Sequence, residues 1–312
     1  MSHMRAVWSF WSRPCHTGTG PGWQSPLHHL LAWGLSVRLA SAHYPDTMLV
    51  TDTPGRSLLV DELGLSFGEV STALDDLADA DPRLWMLGKL AAYGMQDRPF
   101  VHLDSDVFLW QPLPDALVAA PVYAQHPEDR PASGPGRPEA VEHGFRSCGL
   151  PLPPEWRWYR SHPSGGGSRS HGGTCRDANC GIVGGTNPAL IADYAHLALG
   201  LALNPKYVPA WSAIPFDGEL NMTLEQFLLA AYADYHRFAP ASPYRGSHLR
   251  YLFQSWQEAS NPAAARRVGY THLLGTAKNH PETTARLAQR VRSEDPDFHA
   301  RCEFAAARVR HG

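Results

Sequence analysis

The sequence predicts an α/β fold in which a mostly parallel sheet is flanked by helices. Short, apolar, β-prone runs such as Arg5–Phe10 and Thr47–Thr51 alternate with segments of helical spacing. Alternation of this kind is typical of parallel sheets. Asp52 and Asp104 each follow such a run directly, and ligands of these folds bind beyond the carboxyl ends of the strands. We therefore expect a functional site at that edge of the sheet.

The elements of this pattern can be placed in chain order. Proline is common at the first position of a helix, and glycine often ends one. The N-terminal part is predicted to contain a strand over 5–10, a loop over 12–26, a helix over 27–42, a strand over 47–51, a helix from Pro54 to Leu63, a strand over 67–70, a helix over 82–94 and a strand over 99–103.

The stretch 126–178 interrupts the pattern because it is rich in Pro, Gly, Ser, Arg and His. A loop of this length inside a compact domain is usually a lid, a binding loop or a disordered insertion, and we interpret it as a mobile loop over the site. Helices are expected again over 188–203, over 224–236 and after Pro281. These patterns predict one domain over 5–278, with the insert at 126–178, and a C-terminal helical extension over 279–312.

The composition argues against several classes of protein. The 312 residues carry a net charge of −3. The chain therefore lacks the excess of basic residues that would indicate a nucleic-acid partner. No apolar run reaches the roughly 18 residues of a membrane span, and no signal-peptide pattern is present, so we expect a cytoplasmic enzyme. A zinc site in the insert is an alternative without support from paired spacing. Its ligands would come from His143, Cys148, His162, His171, Cys175 and Cys180.

The segment HLDSDVFLW at 102–110 carries the strongest chemical signal. Asp104 and Asp106 stand two residues apart, directly after a buried strand. Two carboxylates at this spacing can bind one hard cation, and Mg²⁺ and Mn²⁺ prefer such oxygen ligands while leaving room for phosphate oxygens. The alternative is a solvated turn with two unrelated aspartates, but the apolar runs on both sides favour the metal site.

The longer segment PFVHLDSDVFLWQPLP resembles the Asp-X-Asp strand of GT-A glycosyltransferases, which have a Rossmann-like α/β fold. The resemblance implies that Asp106 is a metal ligand and that Asp104 contacts the metal or the donor, with Ser105 beside them. A second segment, HLLGTAK at 272–278, is similar to the H-x-x-G-x-x-K pattern of family-eight-type retaining glycosyltransferases. The following Asn-His departs from the Pro-Trp that is usual there.

That second pattern implies roles for three residues. His272 is the implied third metal ligand, while Gly275 and Lys278 approach the diphosphate. A neutral imidazole can complete the coordination of the cation, and a lysine offsets phosphate charge.

Further positions are expected to bind the donor or the acceptor. The NCGIVGGT segment resembles the strand and loop that GT-A enzymes place against the donor sugar. TLEQ at 223–226 resembles their catalytic acidic–amide pair, which implies that Glu225 or Gln226 positions the acceptor or stabilises the oxocarbenium-like transition state. The same four residues also fit a helix-capping box. Asp217 and Glu219 are rivals for the acidic role. The remaining candidates are Asn179, Gly184, Gly185, Glu225, Gln226, Lys89 on the helix before the motif, Trp8, Ser9 and Phe10 at the end of the first strand, and Asp52 after the second.

Together the resemblances imply transfer of a hexose from a UDP-sugar to an acceptor hydroxyl, with Mn²⁺ or Mg²⁺ as cofactor and retention of configuration. The chain as a whole resembles bacterial glycosyltransferases of family-eight and capsular-polysaccharide type. The acceptor is open among small molecules, glycans and peptides. A nucleotidyltransferase of similar fold, or a nucleotide-sugar-binding protein without turnover, is the alternative.

Overall fold

The computed structural model describes residues 4–17, 22–161, 173–216 and 218–309, and only the backbone of 158–161 and 309. The strands are β1 (Arg5–Phe10), β2 (Thr47–Thr51), β3 (Glu69–Ser71), β4 (Phe100–Leu103), β5 (Val107–Leu109), β6 (Val122–Ala124), β7 (Pro127–Pro131), β8 (Thr174–Ala178), β9 (Ile182–Gly185), β10 (Leu249–Tyr251) and β11 (Tyr270–His272).

The α-helices are α1 (Arg13–His16), α2 (Pro26–Ser41), α3 (Thr53–Arg56), α4 (Leu87–Gly94), α5 (Asp115–Val118), α6 (Pro138–Ser147), α7 (Pro154–Ser161), α8 (Pro188–Leu203), α9 (Val208–Ser212), α10 (Glu219–Met222), α11 (Leu228–Phe238), α12 (Trp256–Ala259), α13 (Pro262–Val268), α14 (Pro281–Glu294) and α15 (Pro296–Val309). Short 3₁₀ segments cover Ala73–Leu77, Pro205–Tyr207 and Gly275–Asn279, and π-helical segments cover Ser57–Glu62 and Thr223–Phe227. None of the helices so described has the length and apolarity needed to cross a membrane.

The described residues form two compact units. Unit 1 comprises the described parts of Met1–Gly88, Val101–Pro114 and Ala263–Gly312. Unit 2 comprises the described parts of Lys89–Phe100 and Asp115–Pro262. In unit 1 the strands follow the order β3-β2-β1-β4, and β2 pairs in parallel with both β1 and β3. In unit 2, β6 lies between its parallel neighbour β10 and its antiparallel neighbour β9. The predicted α/β class with a mostly parallel sheet is confirmed.

Helix α2 is central to the packing of unit 1. It begins at Pro26, where the missing N–H would have no partner within the helix, and it buries Leu31 and Trp33. Gly34 allows close approach of α15, since a Cβ there would lie 2.1 Å from Cε1 of Phe298. Helix α14 also packs on α2, so both C-terminal helices belong to the core of unit 1. The domain boundary expected between 278 and 279 stays a prediction.

The predicted insert contains regular structure in its described part. Strands β7 and β8 pair antiparallel, and α6 and α7 each begin at a proline. Trp156 of α7 is fully buried and meets Phe227 at a ring-centroid distance of 5.2 Å. Proline-rich composition is thus compatible with short helices here, because proline is favoured in a first helical turn. The expected mobility of 126–178 stays a prediction, and His162 and His171 lie outside the described residues.

The helix expected from Pro82 begins later, at Leu87. Asp81 explains the delay, since its Oδ1 accepts a hydrogen bond from the backbone N–H of Arg83 at 2.9 Å. A side chain that binds the backbone two residues ahead stabilises a turn in place of a helix. The third strand is also shifted, to Glu69–Ser71 from the expected 67–70.

Candidate functional site

The Asp-Ser-Asp motif forms a tight turn between β4 and β5. The backbone N–H of Val107 donates to the carbonyl oxygen of Asp104 at 3.0 Å and closes this turn. Asp106 is buried, while Asp104 and Ser105 are half-buried. The apolar runs on both sides form buried strands, so the sequence itself fixes the two carboxylates at a strand end.

Strand β11 brings His272 to the motif. It pairs antiparallel with β5, with His272 opposite Val107, and the N–H of Leu273 donates to the carbonyl oxygen of Asp106 at 3.1 Å. Nε2 of His272 consequently lies 3.4 Å from Oδ1 of Asp106. Segments far apart in the sequence thus meet at one strand pair.

Lys278 reaches the same aspartate from the 3₁₀ turn that follows. Its Nζ lies 2.8 Å from Oδ2 of Asp106. The turn begins at Gly275, whose φ of 52° is in the left-handed region that favours glycine, and open space surrounds this position. The H-x-x-G-x-x-K segment therefore places both its histidine and its lysine on Asp106.

Asp104, Asp106 and His272 form a candidate metal centre. Each offers one ligand atom, and these atoms all lie within 4.8 Å of one another. Within the described ranges this is the one such group of three or more His, Cys, Asp or Glu side chains. The candidate zinc ligands Cys148, Cys175 and Cys180 form no such group there.

The electrostatics keep Asp106 ionised. Burial alone raises the pKa of this carboxyl, but His272 and then Lys278 outweigh burial and hold the pKa well below its usual range. Burial and then the charge of Lys278 lower the pKa of the nearby His29 to about 4, so this imidazole stays neutral. His29 accepts a hydrogen bond from Nε1 of Trp33 at 3.1 Å.

The residues expected at the nucleobase lie mainly in the core of unit 1. Trp8 is fully buried and donates from Nε1 to Oγ of Ser36 at 3.1 Å, and Phe10 is buried as well. Oγ of Ser9 lies 2.9 Å from Nε2 of His102. The side chains of this strand therefore have partners inside the protein, and base binding by Trp8, Ser9 and Phe10 stays a prediction.

Asp52 has a structural role, as a helix cap and loop anchor, that sequence reasoning missed. It is buried at the N-terminus of α3, where Oδ1 accepts from the N–H of Gly55 at 2.8 Å. Its Oδ2 accepts from the N–H of Ser12 at 2.9 Å and from Oγ of Ser12 at 2.7 Å. Capping and loop anchoring explain this aspartate without a ligand, and contact with base or ribose stays a prediction.

In unit 2 the structure brings together two residues that were singled out separately. Nζ of Lys89 lies 2.7 Å from Oε1 of Glu225, which is fully buried, and also donates to the carbonyl oxygen of Cys180 at 3.0 Å. The hydroxyl of Tyr93, one turn after Lys89 on α4, donates to the same Oε1 at 3.1 Å. Lys89 and Glu225 are therefore partners of each other.

Glu225 and Gln226 lie in the π-helical segment Thr223–Phe227, which continues directly from α10. No side-chain hydrogen bond caps this segment, so the alternative of a Thr223 capping box is wrong. Oε1 of Gln226 is buried without a hydrogen-bond partner among the described residues. Of the rival acids, Glu219 binds Arg130, with both carboxylate oxygens 2.7 Å from Nη2, and Asp217 lies outside the described residues.

Asn179, Gly184 and Gly185 are held by their own unit. The side chain of Asn179 donates to Oε1 of Glu128 at 2.9 Å and accepts from the N–H of Gly181 at 3.1 Å. A Cβ on Gly184 would lie 2.2 Å from the carbonyl oxygen of Phe100, and one on Gly185 would lie 2.0 Å from that of Pro121. Close packing within unit 2 thus accounts for both glycines, and donor contact stays a prediction.

Sequence reasoning also missed a buried ion pair between Arg137 and Asp177 of β8. Arg137 and Asp177 are both buried, with Nη1 to Oδ2 at 3.1 Å and Nη2 to Oδ1 at 3.2 Å. Nε of Arg137 donates to the carbonyl oxygen of Pro131 at 2.8 Å. No local pattern marks such a pair, because its members come from segments 40 residues apart.

Comparisons with known proteins add a family. The chain belongs to a family of unknown function (DUF6734), which matches residues 4–149 and 163–303. No protein of curated function matches the sequence significantly. Among solved structures, the crystal structure of an active-site mutant of LgtC is similar over 93% of this chain and 96% of that chain, with 13% identity and a TM-score of 0.40. A structural similarity this distant gives no information on function, so the function has to be inferred from the site itself.

Proposed function

We propose that this protein is a metal-dependent glycosyltransferase of the GT-A type that transfers a hexose from a UDP-sugar to an acceptor hydroxyl with retention. The observation that carries the proposal is the convergence of Asp104, Asp106 and His272, with Lys278 on the same aspartate. These residues come from the two motifs that resemble such enzymes.

The ligand set fits one divalent cation. Around an octahedral Mg²⁺ with ligands at about 2.1 Å, adjacent ligand atoms lie about 3.0 Å apart and opposite ones about 4.2 Å apart. The separation of 3.4 Å between Nε2 of His272 and Oδ1 of Asp106 is nearer the value for adjacent ligands. Two carboxylates with one imidazole suit Mn²⁺ as well as Mg²⁺. Oδ2 of Asp106 can stay on Lys278 while Oδ1 faces the cation.

The charge balance of the site suits a diphosphate. The two carboxylates offset the charge of one divalent cation, and Lys278 then leaves an excess positive charge beside it. Bound there, the cation would neutralise phosphate charge as the nucleotide leaves. Lys278 would hold a phosphate oxygen by charge and hydrogen bond, and Asp104, half-buried, would face ribose or sugar hydroxyls.

In unit 2 we assign different tasks to Glu225 and Gln226. Glu225 is fully buried and paired with Lys89, so it positions the π-helical segment and does not itself meet a substrate. Gln226 is half-buried, so part of its side chain is accessible and it is the better candidate for substrate contact. Its amide can accept or donate to a sugar hydroxyl.

Turnover of UDP-sugars tests the proposal. The purified protein is incubated with a panel of UDP-hexoses and candidate acceptors, with Mn²⁺ or with EDTA, and free UDP and pyrophosphate are measured. We expect UDP release that requires Mn²⁺ and an α-linked product from an α-linked donor by NMR. Release of pyrophosphate would indicate a nucleotidyltransferase. Binding of UDP with no release of either product, for every acceptor tried, would indicate a binding protein and contradict the proposal.

A further inference from the structure

Unit 2 contains an open pocket of about 470 Å³ that no predicted site residue lines. It lies beside strands β7 and β8 and the start of α12. Its volume is in the range of about 300–1,000 Å³ that is usual for small-molecule sites. The side chains that matter for its chemistry are Glu128, Asp129, Arg130, Arg176, Trp256 and Gln257.

The charges around this pocket are balanced. Nε of Arg176 lies 3.2 Å from Oδ1 of Asp129, and Nη1 of Arg130 lies 3.5 Å from Oε2 of Glu128. Arg130 also binds Glu219 through both carboxylate oxygens. Since each guanidinium already has a carboxylate partner, the pocket does not have the uncompensated positive charge that recognition of phosphate requires. A neutral ligand rich in hydrogen-bonding groups fits it better.

An aromatic face complements this polar lining. Trp256 is 53% exposed although it is among the largest apolar side chains. It opens α12, whose start is fixed because Oγ of Ser255 accepts from the N–H of Glu258 at 3.1 Å. An exposed indole beside carboxylates, guanidinium groups and an amide offers a flat apolar surface next to donors and acceptors. Sugar rings have the matching form, with C–H groups on their faces and hydroxyls at their edges.

Two neighbouring side chains hold Glu128 in place beside the pocket. Glu128 is held by Nδ2 of Asn179 at 2.9 Å and lies 3.0 Å from Nε2 of the buried His126. Burial raises the pKa of Glu128, but these two neighbours lower it by more, so the carboxylate stays ionised as a hydrogen-bond acceptor. The next residue after Asn179, Cys180, accepts the hydrogen bond from Lys89 that accompanies the Lys89–Glu225 pair. The adjacent residues Asn179 and Cys180 therefore contact both Glu128 of the pocket and Lys89 of the Lys89–Glu225 pair.

We propose that this pocket binds a neutral carbohydrate whose ring stacks on Trp256. This binding does not depend on the proposed glycosyltransferase function. The polar side chains Glu128 and Gln257 bind its hydroxyls.

Binding of neutral saccharides tests this proposal. A panel of neutral mono- and disaccharides, including lactose, maltose and cellobiose, is titrated into the full chain by calorimetry and saturation-transfer NMR, with UDP and Mn²⁺ present. We expect at least one to bind, Trp256→Ala to weaken it about tenfold through loss of the stacking face, and Gln257→Ala to weaken it less. Phe304→Ala, on an aromatic of α15 that is even more exposed than Trp256, is the control and leaves binding unchanged.

The possible outcomes separate this proposal from the function itself. Saccharide binding that depends on Trp256, without UDP release from any donor, would support the pocket and contradict the glycosyltransferase. UDP release with saccharide binding indifferent to Trp256→Ala and Gln257→Ala would support the enzyme and overturn the pocket. Absence of saccharide binding by the wild type, or its displacement by inorganic phosphate, would also overturn it. Equal melting temperatures of the variants exclude misfolding as the cause.

Discussion

The Lys278–Asp106 pair of unit 1 and the Lys89–Glu225 pair of unit 2 have nearly the same length, 2.8 and 2.7 Å, but different surroundings. They contain two of the three lysines in the chain. Beside Asp106 stand a second carboxylate and an imidazole, so three potential metal-ligand atoms lie close together there. One divalent cation could bind all three.

Glu225 has protein donors on one carboxylate oxygen and on its backbone carbonyl instead. The Tyr93 hydroxyl donates to the oxygen that Lys89 also contacts, and the Tyr194 hydroxyl donates to its backbone carbonyl. The carboxylate is fully buried. A fully buried charge pair with further protein donors holds local structure, whereas a pair beside two other potential metal ligands is a candidate site. The surroundings of a lysine–carboxylate pair, more than its length, thus distinguish the two roles.

The largest expected effect tests the structural side of this comparison. Glu225→Gln removes one partner of a buried pair and leaves Lys89 without its countercharge, so the free energy of unfolding should fall by about 3–5 kcal/mol. Urea denaturation measures it. Glu282→Ala is the control, because Glu282 forms an exposed pair with Arg286 and should leave stability almost unchanged. Similar small losses for both variants would show that the Lys89–Glu225 pair has no structural role.

The second effect concerns the metal side. Asp106→Ala removes the carboxylate that contacts both His272 and Lys278, so affinity for Mn²⁺ with UDP should fall by about 100-fold or more, which corresponds to about 2.7 kcal/mol. Calorimetric titration measures it. Asp79→Ala replaces an exposed aspartate of the same unit and is expected to bind as the wild type does. Unchanged affinity in Asp106→Ala would remove the basis of the metal centre.

The position of Asp104 and Asp106 at a strand end could be predicted from the sequence, because the residues that determine it are adjacent in the chain. PFVHL predicts a buried strand, and the carboxylates that follow it must stand at its end. The pairing of β11 with β5 has no local signal, since three-residue strands carry too few side chains to specify a partner. The resemblance of the H-x-x-G-x-x-K segment was needed to connect His272 with Asp106.

Unit 2 shows where sequence patterns fail. Lys89 and Glu225 were each singled out, but their contact depends on how α4 packs within the unit, which spacing alone does not encode. Strands β7 and β8 were missed because proline and arginine obscure the alternation typical of strands. The pocket beside Trp256 likewise combines residues from three separate segments and has no motif.

The smallest expected effect sharpens the comparison, because it separates a metal ligand from an ordinary partner of Asp106. His272→Ala leaves the Lys278–Asp106 pair intact and removes only the imidazole, so Mn²⁺ affinity should fall about tenfold, or about 1.4 kcal/mol. His280→Ala, on an exposed histidine after the same turn, is the matched control. If the two variants bind Mn²⁺ with the same affinity, His272 is a neighbour of Asp106 on β11 and not a metal ligand. Any cation that binds would then depend on Asp104 and Asp106 alone.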